Sequence, residues 1–129
     1  MADYTIKKEF DKSMDSVISD LEEELSKEGF GILTEIDMKE TFKKKLDKDF
    51  REYKIMGACN PNFAYEGFKS DNDLGLLLPC NFIVYKNDNN NVTVATVDPV
   101  KLLSISDDNK LTKLGEKIKS KFEKVINNL

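Results

Sequence analysis

GACNPNFAYEGFKSDNDLGLLLPCNFIVY, residues 57–85, holds both cysteines, two of the three prolines and three of the six glycines of the chain. Its two cysteine motifs, Cys59-Asn60-Pro61 and Pro79-Cys80-Asn81, each set a thiol beside an asparagine and a proline. Asn60-Pro61 reads as a helix start: asparagine is a preferred N-cap, and proline at the first helical position gives up no needed N–H. Phe63, Ala64 and Phe68 carry that helix to near Ser70-Asp71-Asn72. Upstream, Phe50 to Cys59 runs with period two, and Tyr53, Ile55, Gly57 and Cys59 share the parity expected to face inward, with Lys54 on the other. Downstream, Leu76 to Lys86 and Val92 to Val97 flank Asn87-Asp88-Asn89-Asn90-Asn91, the pattern of a β-hairpin.

The hairpin fixes neighbours by register. Pairing Lys86 with Val92 across the five-residue turn sets Cys80 opposite Asp98, so Cys80, Phe82 and Val84 share the core side with Asp98, Thr96 and Val94. A one-residue slip would bring Asn81 opposite Asp98 instead. The outward parity carries Ile83, Tyr85, Ala95 and Val97 with Asn81 and Thr93, which is unusually apolar for a free face. That face predicts a homodimer, unless a helix of the same chain covers it.

The flanking segments supply the rest of the architecture. Tyr4 to Phe10 is a first strand. Ser13 caps a helix whose Met14, Val17, Ile18, Leu21 and Leu25 form one apolar stripe, ended by Gly29. Phe30 to Ile36 is a second strand, and Asp37 with Glu40 begins a short helix with Met38, Phe42 and Leu46 on one side. After Asp98-Pro99, Val100 to Ile105 makes a helical turn. A final helix from Asp107 or Asp108 carries Leu111, Leu114, Ile118, Phe122, Val125 and Leu129. This is one domain, residues 1–129, with one antiparallel sheet of four or five strands and helices packed on it.

Composition narrows the chemistry. A net charge of −4 would repel nucleic acid and anionic membrane. Lys43-Lys44-Lys45 points three ways on a helix and reads as a solvated face. The nearly apolar run Leu74 to Tyr85 is short of the about 20 residues a bilayer requires. The opening MADYTIKK lacks the apolar stretch of a signal peptide, so the expected compartment is the cytoplasm, where two cysteines are free thiols more often than a bridge. With no histidine in the chain, no Ser-His-Asp or Cys-His pair and no imidazole metal ligand exists.

Three readings of the cysteine motifs follow. The favoured one is a binding module for a small molecule, with a pocket lined by Cys59, Asn60, Pro61, Cys80, Asn81 and Asp98. The second is a thiol-dependent redox enzyme in which Cys59, at the positive end of a helix, is the nucleophile. The third is a soft-metal site, since two thiolates suit Cu(I), although their separation of 21 in sequence lies outside the usual zinc spacing. Beside all three stands cysteine as a small buried hydrophobe.

The chain resembles a known family, domain of unknown function 302. The resemblance rests on Glu28-Gly29-Phe30-Gly31-Ile32-Leu33-Thr34-Glu35-Ile36-Asp37, Gly57-Ala58-Cys59-Asn60-Pro61, Leu76-Leu77-Leu78-Pro79-Cys80-Asn81 and Asp98-Pro99, in the family's order. Gly67-Phe68 departs from the alanine and leucine expected there. The resemblance implies an α+β fold similar to the TATA-binding-protein-like architecture (β-α-β4-α) with helices on one antiparallel sheet. It implies no activity and no cofactor, and the shared architecture does not argue for DNA binding.

Overall fold

Two helix caps and one turn set the frame. Ser13 Oγ accepts from the Ser16 N–H at 3.1 Å and opens α1 (Met14–Lys27). Gly29, at φ 84°, closes it in the left-handed conformation that glycine adopts without a Cβ clash. At the other end of the chain, Asp108 caps α5 (Asn109–Asn127) by accepting from the Lys110 N–H at 2.8 Å. Between them the turn at 87–91 folds around Asn87, whose side-chain oxygen accepts from the N–H groups of Asn89 and Asn91.

The computed structural model describes residues 3–129. Met1 and Ala2, part of the segment in which no signal peptide is read, lie outside the described residues. The strands are β1 (Thr5–Phe10), β2 (Gly31–Asp37), β3 (Tyr53–Cys59), β4 (Cys80–Lys86) and β5 (Val92–Val97). They form one antiparallel sheet in the order β1-β5-β4-β3-β2. The remaining helices are α2 (Met38–Leu46), α3 (Pro61–Ser70) and α4 (Pro99–Leu103), with 3-10 turns at Asn72–Leu76 and Ser104–Ser106. No described helix is long and apolar enough to cross a membrane.

The predicted stripes become the core. Val17, Leu21 and Leu25 of α1 and Leu111, Ile118, Phe122 and Val125 of α5 are buried against Phe82, Val84, Val92 and Val94 of the sheet. The hairpin register is the one read from the turn: Lys86 pairs with Val92, Val84 with Val94 and Phe82 with Thr96. Lys43, Lys44 and Lys45 are exposed, the first two paired with Asp47 and Glu40.

Two expectations are corrected. In β3 the inward residues are Met56 and Ala58, both buried, while Tyr53, Ile55 and Cys59 are half-buried. A central strand is apolar on both faces, so period two alone cannot choose between them. Lys54, which pointed to the wrong parity, lies on the inward side at the sheet's rim and reaches Glu35 at 3.0 Å. The segment Leu76–Pro79 is not strand. Asp71 caps a 3-10 turn through Leu76, and β4 starts only at Cys80. Pro79 has no N–H to give a ladder.

The outer face of the sheet carries Ile55 and Ile83 and a chain of rings. Phe42 of α2 meets Phe50 at 4.9 Å, Phe50 meets Tyr53 at 6.0 Å, and Tyr53 stacks on Tyr85 at 5.2 Å. Gly57 is on this face because there is no room for more: a Cβ would overlap Thr34 Oγ1 and lie 2.6 Å from Pro79 Cγ.

Candidate functional site

The ends of β3 and β4 bring the two cysteine motifs together. Ala58 pairs with Cys80, so Cys59 stands one residue beyond that pair. Asn60 then caps α3 as its sequence predicts. Its Oδ1 accepts from the N–H groups of Asn62 and Phe63 at 3.1 and 3.3 Å. Its Nδ2 donates across the domain to the Glu28 carbonyl at 3.4 Å, tying the start of α3 to the end of α1. On the other strand, Cys80 follows a cis Leu78–Pro79 peptide bond.

Between these motifs and α5 lies a small apolar cavity. Cys59, Asn60 and Cys80 line it together with Phe30, Phe63 and Ile118 among others. It leaves about 20 Å³ for the centre of a water-sized guest, enough for one such guest or slightly more. A drug-sized ligand needs several hundred Å³, so the cavity as it stands takes a guest of few atoms.

The other three sequence-predicted residues lie elsewhere. Pro61 is exposed at the first turn of α3. The Asn81 side chain is exposed, and its carbonyl accepts from the Thr96 hydroxyl at 2.8 Å. Asp98 is buried, but the β4–β5 ladder ends at Phe82 and Thr96, two residues short of a Cys80–Asp98 pair. The chain turns there into α4. The Asp98 carboxylate caps that helix, accepting from Val100 N–H at 2.9 Å, and meets Lys119 of α5 at 3.0 Å. Burial alone would raise the Asp98 carboxyl. Lys119 and the N–H groups of Val100 and Lys101 more than offset that and hold it below the usual value.

The thiols are both free, and burial pushes both upward. Cys59 is half-buried and its thiol lies above its ordinary value. Cys80 is buried and is pushed up to about 12, first by burial and then by the neighbouring Cys59. The sequence expectation of a thiolate at Cys59 is therefore reversed in direction. For Cys80 the expected rise is present, but its second cause is the other thiol and not Asp98. Sequence reasoning also missed the cavity's far wall, Leu103, Leu114 and Ile118. The α5 stripe contained two of these, with no signal that they would meet the cysteines.

Exposure and ionisation together predict unequal labelling. Burial pushes Cys80 up to about 12 and keeps it almost wholly protonated at about pH 8.5, so iodoacetamide should modify Cys59 first. Cys80 should follow only as the chain opens. Timed alkylation with peptide mapping checks it. Equal slow modification of both, at the global unfolding rate, would make Cys59 a sealed core residue.

Comparison with known proteins follows the same outline. No curated protein matches the chain. A crystal structure described as an uncharacterized conserved protein DUF302 from Bacillus stearothermophilus superposes with a TM-score of 0.90. The two are 25% identical, and the match covers 98% of each chain. The family pattern described as domain of unknown function DUF302 matches residues 6–129, nearly the whole chain, and the protein belongs to that family.

Proposed function

We propose that the chain is a small binding module whose site is the cavity at Cys59, Asn60 and Cys80. The observation that supports this reading is the convergence of both thiols and the α3 cap on one small apolar space. Asn60 is already occupied by the α3 amides and the Glu28 carbonyl, so the interior offers little to a polar guest. Pro61 and Asp98 serve the site at a distance by starting α3 and α4. A redox enzyme with Cys59 as nucleophile needs a thiolate, and burial works against it. A soft metal would have to displace protons from both thiols, which the same burial makes costly. Among the described residues no group of three or more Cys, Asp or Glu is placed to hold a metal ion.

Xenon is the probe of suitable size and character. Under a few atmospheres of xenon, methyl NMR signals of Ala58, Leu74, Leu78 and Ile118 should shift together, while those of Val17 and Val92 stay still. Uniform small shifts across the core would remove the cavity as a binding site. Native mass spectrometry of freshly purified protein, compared with Cys59→Ala, tests whether a guest is retained.

For the outer sheet face we propose a second copy of the chain as the partner. The half-buried Ile55, Ile83, Tyr85 and Val97 and the exposed Ile36 supply its apolar surface. Lys7 and Glu9 share this parity at the β1 edge and would be complementary across a two-fold axis. Light scattering should give a dimer that Ile83→Lys converts to a folded monomer. Wild-type protein that stays monomeric at high concentration would refute it.

A further inference from the structure

Phe63 sits on a boundary. It lines the cysteine cavity and also two open grooves on the outer side of α5. Leu114 is likewise common to the cavity and one groove. These two side chains are therefore common to the apolar interior and the surface grooves, and Phe63 is only half-buried.

Both grooves are also lined by Lys113 and Lys117. The chain is acidic overall, yet α5 carries six lysines against two glutamates. Lys119 is taken by Asp98, and Lys121 and Lys124 by Glu28. Lys113 and Lys117 enter no ion pair among the described residues. Of the carboxylates in the grooves, Glu66 is engaged by Lys69 at 3.2 Å, Glu28 by its two lysines, and Glu116 stands beside the unpaired pair. The larger groove, about 750 Å³, has ample room for a head group.

Positive charge outside, an apolar chamber inside and a half-buried ring on the boundary between them define a ligand class. Resting on the binding-module reading above, we infer that the site takes an anionic amphiphile, a medium-chain alkyl carboxylate. Its carboxylate lies on Lys113 and Lys117, and its tail passes Phe63 and ends against Cys59 and Cys80. The reverse orientation is excluded by the interior, where Asn60 is already hydrogen-bonded and neutral thiols prefer hydrocarbon. The cavity as it stands holds only the end of the tail, so binding requires the Phe63 ring to leave its contact with Phe30, 6.3 Å between centroids, and give its space to the chain.

Titration with sodium octanoate, followed by amide and methyl NMR, tests this. Octanoate should shift the amides around Lys113 and Lys117 and the methyls of Ala58, Leu78 and Ile118 with one affinity. Octanol and acetate should each bind more weakly. The double variant Lys113→Glu, Lys117→Glu should weaken octanoate by about tenfold, the scale of losing two exposed ion pairs, and leave the xenon shifts unchanged. Phe63→Ala should admit a longer chain, decanoate, more tightly than wild type does. If octanoate moves only the lysine amides, or octanol binds equally well, the amphiphile inference falls. If xenon fills the cavity and octanoate does not enter, the cavity reading survives alone. If neither enters, both fail.

Discussion

Replacing Phe122 by alanine is expected to destabilise the protein by about 3–5 kcal/mol, the range for losing a fully buried aromatic ring. Phe122 is fully buried and lies where every layer meets. Its ring packs edge-on against Phe82 of β4, centroids 4.8 Å apart, and against Phe30 at 5.1 Å. Deletion empties the junction of sheet, α5 and the segment entering β2, and three elements cannot all collapse into one hole. For a domain of this size the melting temperature should fall by about 10–15 °C. Phe122→Leu, which refills most of the space, should cost about 1–2 kcal/mol. Urea denaturation of both variants checks the order. A loss under about 1 kcal/mol for the alanine variant would place the ring outside the packed core.

The second large effect is at Asp98, which performs two tasks separable by substitution. Asp98→Ala removes the α4 cap and leaves Lys119 without its carboxylate, together about 2–3 kcal/mol. Asp98→Asn keeps an acceptor for Val100 and Lys101 and loses only the ion pair, about 1 kcal/mol given that Lys119 is partly exposed. The sign of the pH dependence is fixed. The folded-state carboxyl lies below its unfolded value, so its contribution is fully present above about pH 4. It is lost as pH falls through the folded value. The gap between wild type and Asp98→Asn should therefore be widest at neutral pH and narrow toward pH 3. A gap that stays constant over that range would mean Asp98 and Lys119 are not coupled.

What could be read in the sequence follows from where its signals are one-sided. Ser13, Asp37, Asn60 and Asp108 cap their helices because a short polar side chain before an apolar run has one favourable use. The hairpin register was legible because the five-residue asparagine turn sets parity for both strands. The same reckoning failed one step further on, at Cys80 and Asp98, since a ladder does not continue into a helix cap. Tyr53 to Cys59 offered apolar residues at nearly every position, and only tertiary packing chose Met56 and Ala58 as the inner set. Leu76-Leu77-Leu78 looks like strand by hydropathy, and Pro79 decides otherwise. For the candidate site, Cys59, Asn60 and Cys80 were legible as a pair of motifs. Their third wall was not, because Leu103 and Leu114 lie far along the chain and only the packing of α4 and α5 on the sheet brings them there.

The position of β1 has a consequence for synthesis. VTVATV, the fifth strand, has no charge and high β propensity, the composition of a segment that recruits other chains when its edge is bare. In the finished sheet one edge of β5 is taken by β4 and the other by β1. The bare edge passes to a strand carrying Lys7, Lys8 and Glu9, charges that discourage further pairing. Glu9 also clamps the turn before β5, accepting from the side chains of Asn87 and Asn91 at 2.8 and 3.0 Å. Because β1 precedes β5 in the chain, the charged cover is already waiting when the sticky strand emerges. Deleting β1 would therefore leave β5 with one bare edge and promote aggregation of the chain before α5 is made.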